Sequence, residues 1–304
     1  MKATAAAGLA DAEPPSPTTG PEPADGVGAG LQEVRGPSAF GGGRRRFLEL
    51  LLLMAMTDFK KTFFGTVLGY AWSLLRPLLT FAVLLVVFTR IIRIGSQIPS
   101  YPMFLLFNIV FFGFFQEATM TATTAVVGRE SIVRKTQFPR LVIPLAAVLT
   151  ALLNLGMNLI AVVVFFLFFG VGPMWTWLLF PVLLGLMLIL ASAVATLLSA
   201  LYVRRRDVAI IWGVLSMALF YGSMVLIPIS FVPEGLLRDL MFINPLVPIM
   251  VQAHQWIIDP GALGAVEAAG GWLGLLPAAI VFVGVCAWST HFFNREAPRV
   301  AEEL

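Results

Sequence analysis

The chain has 304 residues, is 59% hydrophobic and only 12% charged, and carries a formal net charge of +3. That balance is far more apolar than a soluble domain needs and excludes an ordinary water-soluble globule. A single cysteine, Cys286, excludes an intramolecular disulfide framework and a CxxC metal or redox site.

Residues 1–43 are rich in Pro, Gly and Ala without apolar periodicity, and are expected to form a disordered tail. Arg44, Arg45 and Arg46 followed by the apolar run 47–56 imitate a secretory signal. Glu49 interrupts that run, however, and Asp58-Phe59-Lys60-Lys61 follows with no small-residue cleavage site. A helix along the cytoplasmic interface with a connector, together 44–71, is the expected structure; a plain juxtamembrane anchor is the alternative.

Six apolar segments follow, each near the roughly 20 residues a helix needs to cross about 30 Å of hydrocarbon. They are placed at 72–94, 102–124, 141–169, 175–203, 208–231 and 271–293. A short uncharged Gly/Pro turn, 170–174, makes the third and fourth a tight hairpin. One side of the bundle collects the cations: Arg44–Arg46, Lys60 and Lys61, then Arg129, Arg134, Lys135 and Arg140, then Arg204–Arg206, then Arg295 and Arg299. The other side holds Arg90, Arg93 and Arg238. This bias predicts both termini in the cytoplasm. It also accounts for the basic balance, so no nucleic-acid partner is inferred.

The cytoplasmic loop 125–140 mixes Ile132, Val133 and Phe138 with four cations, and Pro139 forces a new helix start. A short amphipathic element of this kind suits docking to another protein; a charged loop that only sets topology is the plainer reading. The external region 232–262 contains apolar pieces too short to span, punctuated by Pro233, Pro245, Pro248 and Pro260. These are expected to be re-entrant or interfacial helices.

No P-loop, His-Glu-x-x-His or Gly-x-Ser-x-Gly motif occurs, so no catalytic residue is assigned. His254 and His291 are far apart and unsupported by Cys, Asp or Glu, so no metal site is assigned either. Away from the segment ends, where Arg90, Arg93 and His291 fall, Arg76 and Glu117 are the charged residues within the segments, at comparable depth. They form either an ion pair or two independent snorkelling groups. Phe104, Phe107, Phe111 and Phe114 or Phe115 recur at spacings of three and four, on one helix face. A file of rings suits the C–H faces of a sugar chain. Helix packing or lipid contact is the commoner use of such a stripe.

Residues 60–77, reading KKTFFGTVLGYAWSLLRP, resemble the approach to the first span of the family of ABC-2 type permeases, and within it of the polysaccharide and O-antigen exporters of the Wzm type. Tyr101-Pro102 opens the second. Lys135-Thr136-Gln137-Phe138-Pro139-Arg140 with Pro144 matches its K-x-x-F-P-R-x-x-x-P signature, Tyr202–Asp207 its RD loop, and Asn244-Pro245-Leu246 its external NPL. The order holds from about residue 47 to the C-terminus. Three arginines stand where one is usual, the run before Val232-Pro233 departs from the common pattern, and His254 stands where many relatives have Arg.

The resemblance implies an all-α integral membrane protein, a six-span ABC-2 (type V exporter-like) half-transporter over 72–304. It implies a homodimer carrying two copies of a separate P-loop ATPase, with ATP and Mg bound there and no cofactor or metal in this chain. The loop 125–140 becomes the coupling helix, with Arg129, Glu130, Arg134, Lys135, Phe138, Pro139 and Arg140 toward the ATPase. Cargo is then a polyprenyl-pyrophosphate-linked glycan, met at the cytoplasmic entrance by Lys61, Arg76 and Glu117. It advances past Phe104, Phe107, Phe111, Phe114 and Phe115 across a bacterial plasma membrane. The competing expectations are an ABC-2 exporter of a small drug or lipid, a membrane-embedded enzyme or scaffold of glycan assembly, and a secondary transporter.

Overall fold

The computed structural model describes residues 43–63, 69–98, 100–129, 139–170 and 172–296. The expected N-terminal tail therefore lies outside the described residues, as do Glu130, Arg134, Lys135 and Phe138. Among the described residues there is helix and turn but no strand.

Helix α1 spans Gly43–Phe63. Helix α2, Gly69–Val86, contains Pro77 and continues into a widened π-type turn, Val87–Ile91, where the Ile92 amide reaches the Val87 carbonyl at 2.9 Å. Helix α3, Tyr101–Ala125, starts after a left-handed Ser100 and takes Pro102 in its first turn, where the missing N–H has no intrahelical partner to lose. Helix α4 runs Val142–Phe168 and closes at Gly170, whose φ of 79° is open to glycine at little cost. A 3-10 turn, Trp175–Leu179, leads into α5, Phe180–Arg204, and then α6, Val208–Gly222. Short helices α7, Leu236–Met241, α8, Leu246–Ile257, and α9, Ala265–Ala268, precede α10, Leu276–Glu296.

Five of these helical stretches are long and apolar enough to cross a membrane: Ala71–Ile91, Tyr101–Ala125, Val142–Phe168, Trp175–Arg204 and Trp272–Phe293. The expected fifth segment, 208–231, is shorter than the sequence implied. Helix α6 has 15 residues, or about 22 Å at 1.5 Å per residue, and stops at Gly222. Met224 then turns left-handed with φ 59°, and the chain is extended at Pro228, which has no N–H to continue a helix.

Helix α3 is the hub, packed by α2, α4, α5 and α6. In α3, 78% of the most apolar window is buried, against 11% in α2 and in α10. Outer helices that keep Leu, Val and Ile exposed are expected in lipid, where acyl chains are as apolar as the side chains. Association then falls to close packing and inter-helix hydrogen bonds. Buried Ala191, Ala195, Thr196, Ser199 and Ala200 keep α5 slender for close packing, and the Thr196 hydroxyl meets that of Ser289 on α10 at 2.5 Å. Trp212 Nε1 on α6 donates to Thr119 Oγ1 on α3 at 3.0 Å.

Candidate functional site

The sequence-derived residues fall at two ends of the bundle and along α3 between them. At the end that carries the basic loops, α1 packs against α4. Ala55 is fully buried there, and Thr150 Oγ1 donates both to its own Ala146 carbonyl at 2.9 Å and to the Ala55 carbonyl at 3.3 Å. The opposite side of α1 leaves Leu48, Leu52, Leu53 and Met56 exposed, as an interfacial helix does. Arg129, just past α3, forms a hydrogen-bonded ion pair with Asp58 of α1. Lys60 and Lys61 are exposed at the end of α1. Pro139 is exposed and Arg140 half-buried where the chain turns into α4, with the Val142 amide donating to the Pro139 carbonyl at 3.0 Å.

Inside the span region, Glu117 lies at the protomer surface of α3 and accepts a hydrogen bond from Asn154 Nδ2 of α4. Arg76 on α2 is near enough for its charge to act on that carboxylate. No ion-pair contact joins them among the described residues; the amide is the direct partner. The structure thus gathers Arg76, Glu117 and Asn154 at one level, and Asn154 carried no signal beyond being one of two amides, with Asn158, in an apolar run.

The five phenylalanines are all buried inside the protomer, at 2% exposure or less. Phe107 and Phe111 stack at 5.5 Å, and both meet Phe180 of α5, at 6.0 and 5.5 Å. Phe115 meets Trp212 of α6 at 6.3 Å. Phe104 lies between Tyr101 and His254, edge-on to the imidazole at 4.7 Å. In this arrangement the file packs the centre of the protomer, and contact with a passing cargo requires α5, α6 and α8 to separate from α3.

At the other end of α3, two of its polar groups hold the segment after α6. Tyr101 OH donates to the Leu226 carbonyl at 3.1 Å, and Asn108 Nδ2 reaches the Met224 and Val225 carbonyls at 3.3 and 3.5 Å. Asn244 finishes the clasp: its Nδ2 donates to Ser223 Oγ at 2.9 Å while its Oδ1 accepts the Leu246 amide at 3.0 Å, opening α8. Arg238 is buried and donates to the Ile229 and Val232 carbonyls, both at 3.1 Å. Irregular backbone in this region therefore has its carbonyls satisfied by side chains, the condition for keeping it in an apolar setting. Among the described residues no group of three or more His, Cys, Asp and Glu side chains comes together to hold a metal.

Residues 49–255 match the family of ABC-2 type transporters, over more than half of the chain. The chain belongs to the ABC-2 type transporter family. It is a multi-pass membrane subunit of a transporter rather than an enzyme. A curated relative, the O-antigen export system permease protein RfbA of Myxococcus xanthus, is 30% identical over 260 residues, covering 85% of this chain and 96% of that protein. Two Klebsiella pneumoniae proteins of the same name are 26% and 27% identical over 69% and 67% of this chain, and 81% and 78% of their own length.

As an ABC-2 permease, the chain shows what its family-like motifs do locally. Asn244-Pro245-Leu246 is the clasp that ties the start of α8 to the end of α6. Asp207 takes the turn into α6, its carbonyl accepting the Ile210 and Ile211 amides at 3.0 Å, with its charge at the favourable helix N-terminus. Asn108 and Arg238 were missed as structural anchors. Asn108 was legible as the one amide in an otherwise apolar α3 turn, whereas Arg238 had been counted only as an outside cation.

Proposed function

We propose that this ABC-2 permease is the membrane half of an exporter that carries a lipid-linked polysaccharide across a bacterial inner membrane. The observation that carries the reading is the near end-to-end likeness to the Myxococcus xanthus O-antigen export permease, 85% of this chain against 96% of that protein. Two copies of the chain enclose the pathway, since a polar polymer cannot cross hydrocarbon unaided. Two copies of a separate ATPase dock at the cytoplasmic end, on the segment 125–140, and supply ATP and Mg. Both termini face the cytoplasm, by the one-sided placement of Lys and Arg.

The Asp58–Arg129 pair gives this arrangement a transmission path. Movement of the docking loop is passed to α1 through the ion pair, and from α1 to α4 through their packed face. Lys61 and Arg76 attract the pyrophosphate of the carrier lipid at the cytoplasmic mouth. Glu117, held by Asn154, sets the inner limit of that positive mouth. The region 232–262 closes the outer end, and the α3 phenylalanines become the pathway wall when the outer helices part. The reading is tested by co-purifying the chain with the ATPase encoded beside it and measuring ATP turnover with and without lipid-linked glycan. A stable complex whose turnover responds to glycan supports it. Absence of any associating ATPase, or turnover responding only to a small drug or lipid, overturns it.

A further inference from the structure

Helix α3 is covered on nearly every side, yet one stripe in its half nearer the basic loops stays open. Gly113 is half-buried there, and Glu117, Met120, Thr121 and Thr124 are exposed. Their spacings of three and four put them on one helix face. Helix α6 borders the stripe through Trp212 and Thr119, and α4 borders it through Asn154 and Glu117. A side-chain carbon built on Gly113 meets nothing within 4 Å, so the stripe has room for a chain from outside the protomer.

The chemistry of this face differs from that of its neighbours. Val83 on α2, Val164 on α4 and Val214 on α6 are exposed and apolar, as lipid contact allows. The α3 stripe presents a carboxylate and two hydroxyls instead. Asn154, which donates to Glu117, stands next to the midpoint of α4, about 18 Å from the helix end at the basic loops at 1.5 Å per residue. That hydrogen bond fixes the carboxylate at depth, and a charge held there against acyl chains is costly. Arg76 is exposed on α2 and close enough for its charge to act on Glu117. Its guanidinium nevertheless has no hydrogen-bond or ion-pair partner among the described residues.

Charges within a membrane pair with one another or face water. A two-fold contact brings one residue of each copy to a different residue of its partner, and does so twice. An anion and a cation side by side on one exposed face, without an ion-pair contact in their own chain, satisfy such a contact in both halves.

We infer that the open stripe of α3, with the adjoining face of α2, is where two copies of this chain meet, Arg76 of each pairing with Glu117 of the other. The inference rests on the two-copy arrangement proposed above and specifies its contact. Asn154 is then a positioning residue, holding Glu117 toward the partner.

The test uses the full permease with its ATPase in membranes, in a Cys286→Ser background, with two affinity tags so that mixed dimers are isolated. An Arg76→Cys copy and a Glu117→Cys copy each hold one cysteine, so a short bifunctional thiol reagent joins them only across the interface. Bridging is expected in this dimer, and is expected to vanish when Val83→Cys replaces Arg76→Cys. Charge reversal gives a second reading. Arg76→Glu or Glu117→Arg alone sets like charges against each other in both halves and loosens the homodimer by at least about tenfold. A mixed dimer of the two reversals has opposite charges across the interface but like charges within each chain. It is expected to regain the association of the unsubstituted protein.

Copies that co-purify without bridging overturn the pairing and leave the two-copy arrangement standing. Reaction of Glu117→Cys with a charged, water-soluble thiol reagent in place of bridging does the same, and puts the face on water. A mixed reversal dimer that folds yet stays as loose as the single reversals places the pair within each chain and overturns the inference. Bridging decides where a reversed protein fails to fold. Copies that never co-purify overturn the two-copy arrangement and the pairing together.

Discussion

The clasp that holds the end of α6 gives a direct test of how the short fifth segment is maintained. In a Tyr101→Phe, Asn108→Leu double variant, the carbonyls of Met224, Val225 and Leu226 lose side-chain donors at 3.3, 3.5 and 3.1 Å. Buried carbonyls stripped of partners cost about 1–3 kcal/mol each. Two of the lost bonds are long, and inter-helix hydrogen bonds in membrane proteins average about 0.6 kcal/mol. Asn108 Oδ1 is itself buried without a partner, so leucine also relieves a penalty. The net expectation is a loss of about 2–4 kcal/mol, which is less than the sum because the carbonyls are neighbours on one segment. The assay is thermal unfolding in detergent, with maleimide labelling of a Met224→Cys reporter in a Cys286→Ser background. Met224 is 6% exposed, so labelling is slow while the clasp holds. Unchanged melting together with a still-protected reporter in the double variant would refute the reasoning.

Three further outcomes are expected. Phe111, fully buried against Phe107 and Phe180, loses about 3 kcal/mol of stability as Phe111→Ala, and much less as Phe111→Leu. If melting shows the alanine protein as stable as the parent while export stops, the ring touches cargo and not the core. Asp58→Asn, Arg129→Gln and the double variant form a cycle with a coupling near 1 kcal/mol, because both side chains are partly exposed; strict additivity in melting or denaturant titration would remove the pair from the transmission path. Burial pushes the His254 imidazole down to about 4, with the Asp259 charge opposing, so the unfolded chain takes up the proton first as pH falls. Stability is full above about pH 6.5 and declines toward pH 4 by about 2–4 kcal/mol, a sensitivity that His254→Gln removes. Identical melting profiles of the two proteins between pH 7.5 and 4.5 would contradict this.

The membrane class and most of the helices were legible because length and hydropathy are local properties, and 102–124 or 141–169 fall almost where α3 and α4 lie. The end of α6 was not legible. Met-Val-Leu-Ile follows Ser223 with no loss of hydropathy, and the stop is imposed by donors more than a hundred residues earlier, on Tyr101 and Asn108. All five phenylalanines fall within α3, yet spacing could not tell which face mattered. Phe112 and Leu105, off that stripe, are equally buried because α3 is surrounded. A surface hollow beside α8 was not legible for a related reason: its walls come from residues 98, 228–231, 254, 259 and 261–263, which only the fold brings together.

The 15-residue length of α6 also bears on how the protein is made. A segment this short is a weak substrate for insertion on its own, since a spanning helix needs about 20 apolar residues. The groups that receive its broken end belong to α3, synthesised about a hundred residues sooner. Chain order therefore favours seating the shorter helix on an α3 already made, and a lesion at Tyr101 or Asn108 is expected to be felt during assembly as well as in the finished transporter.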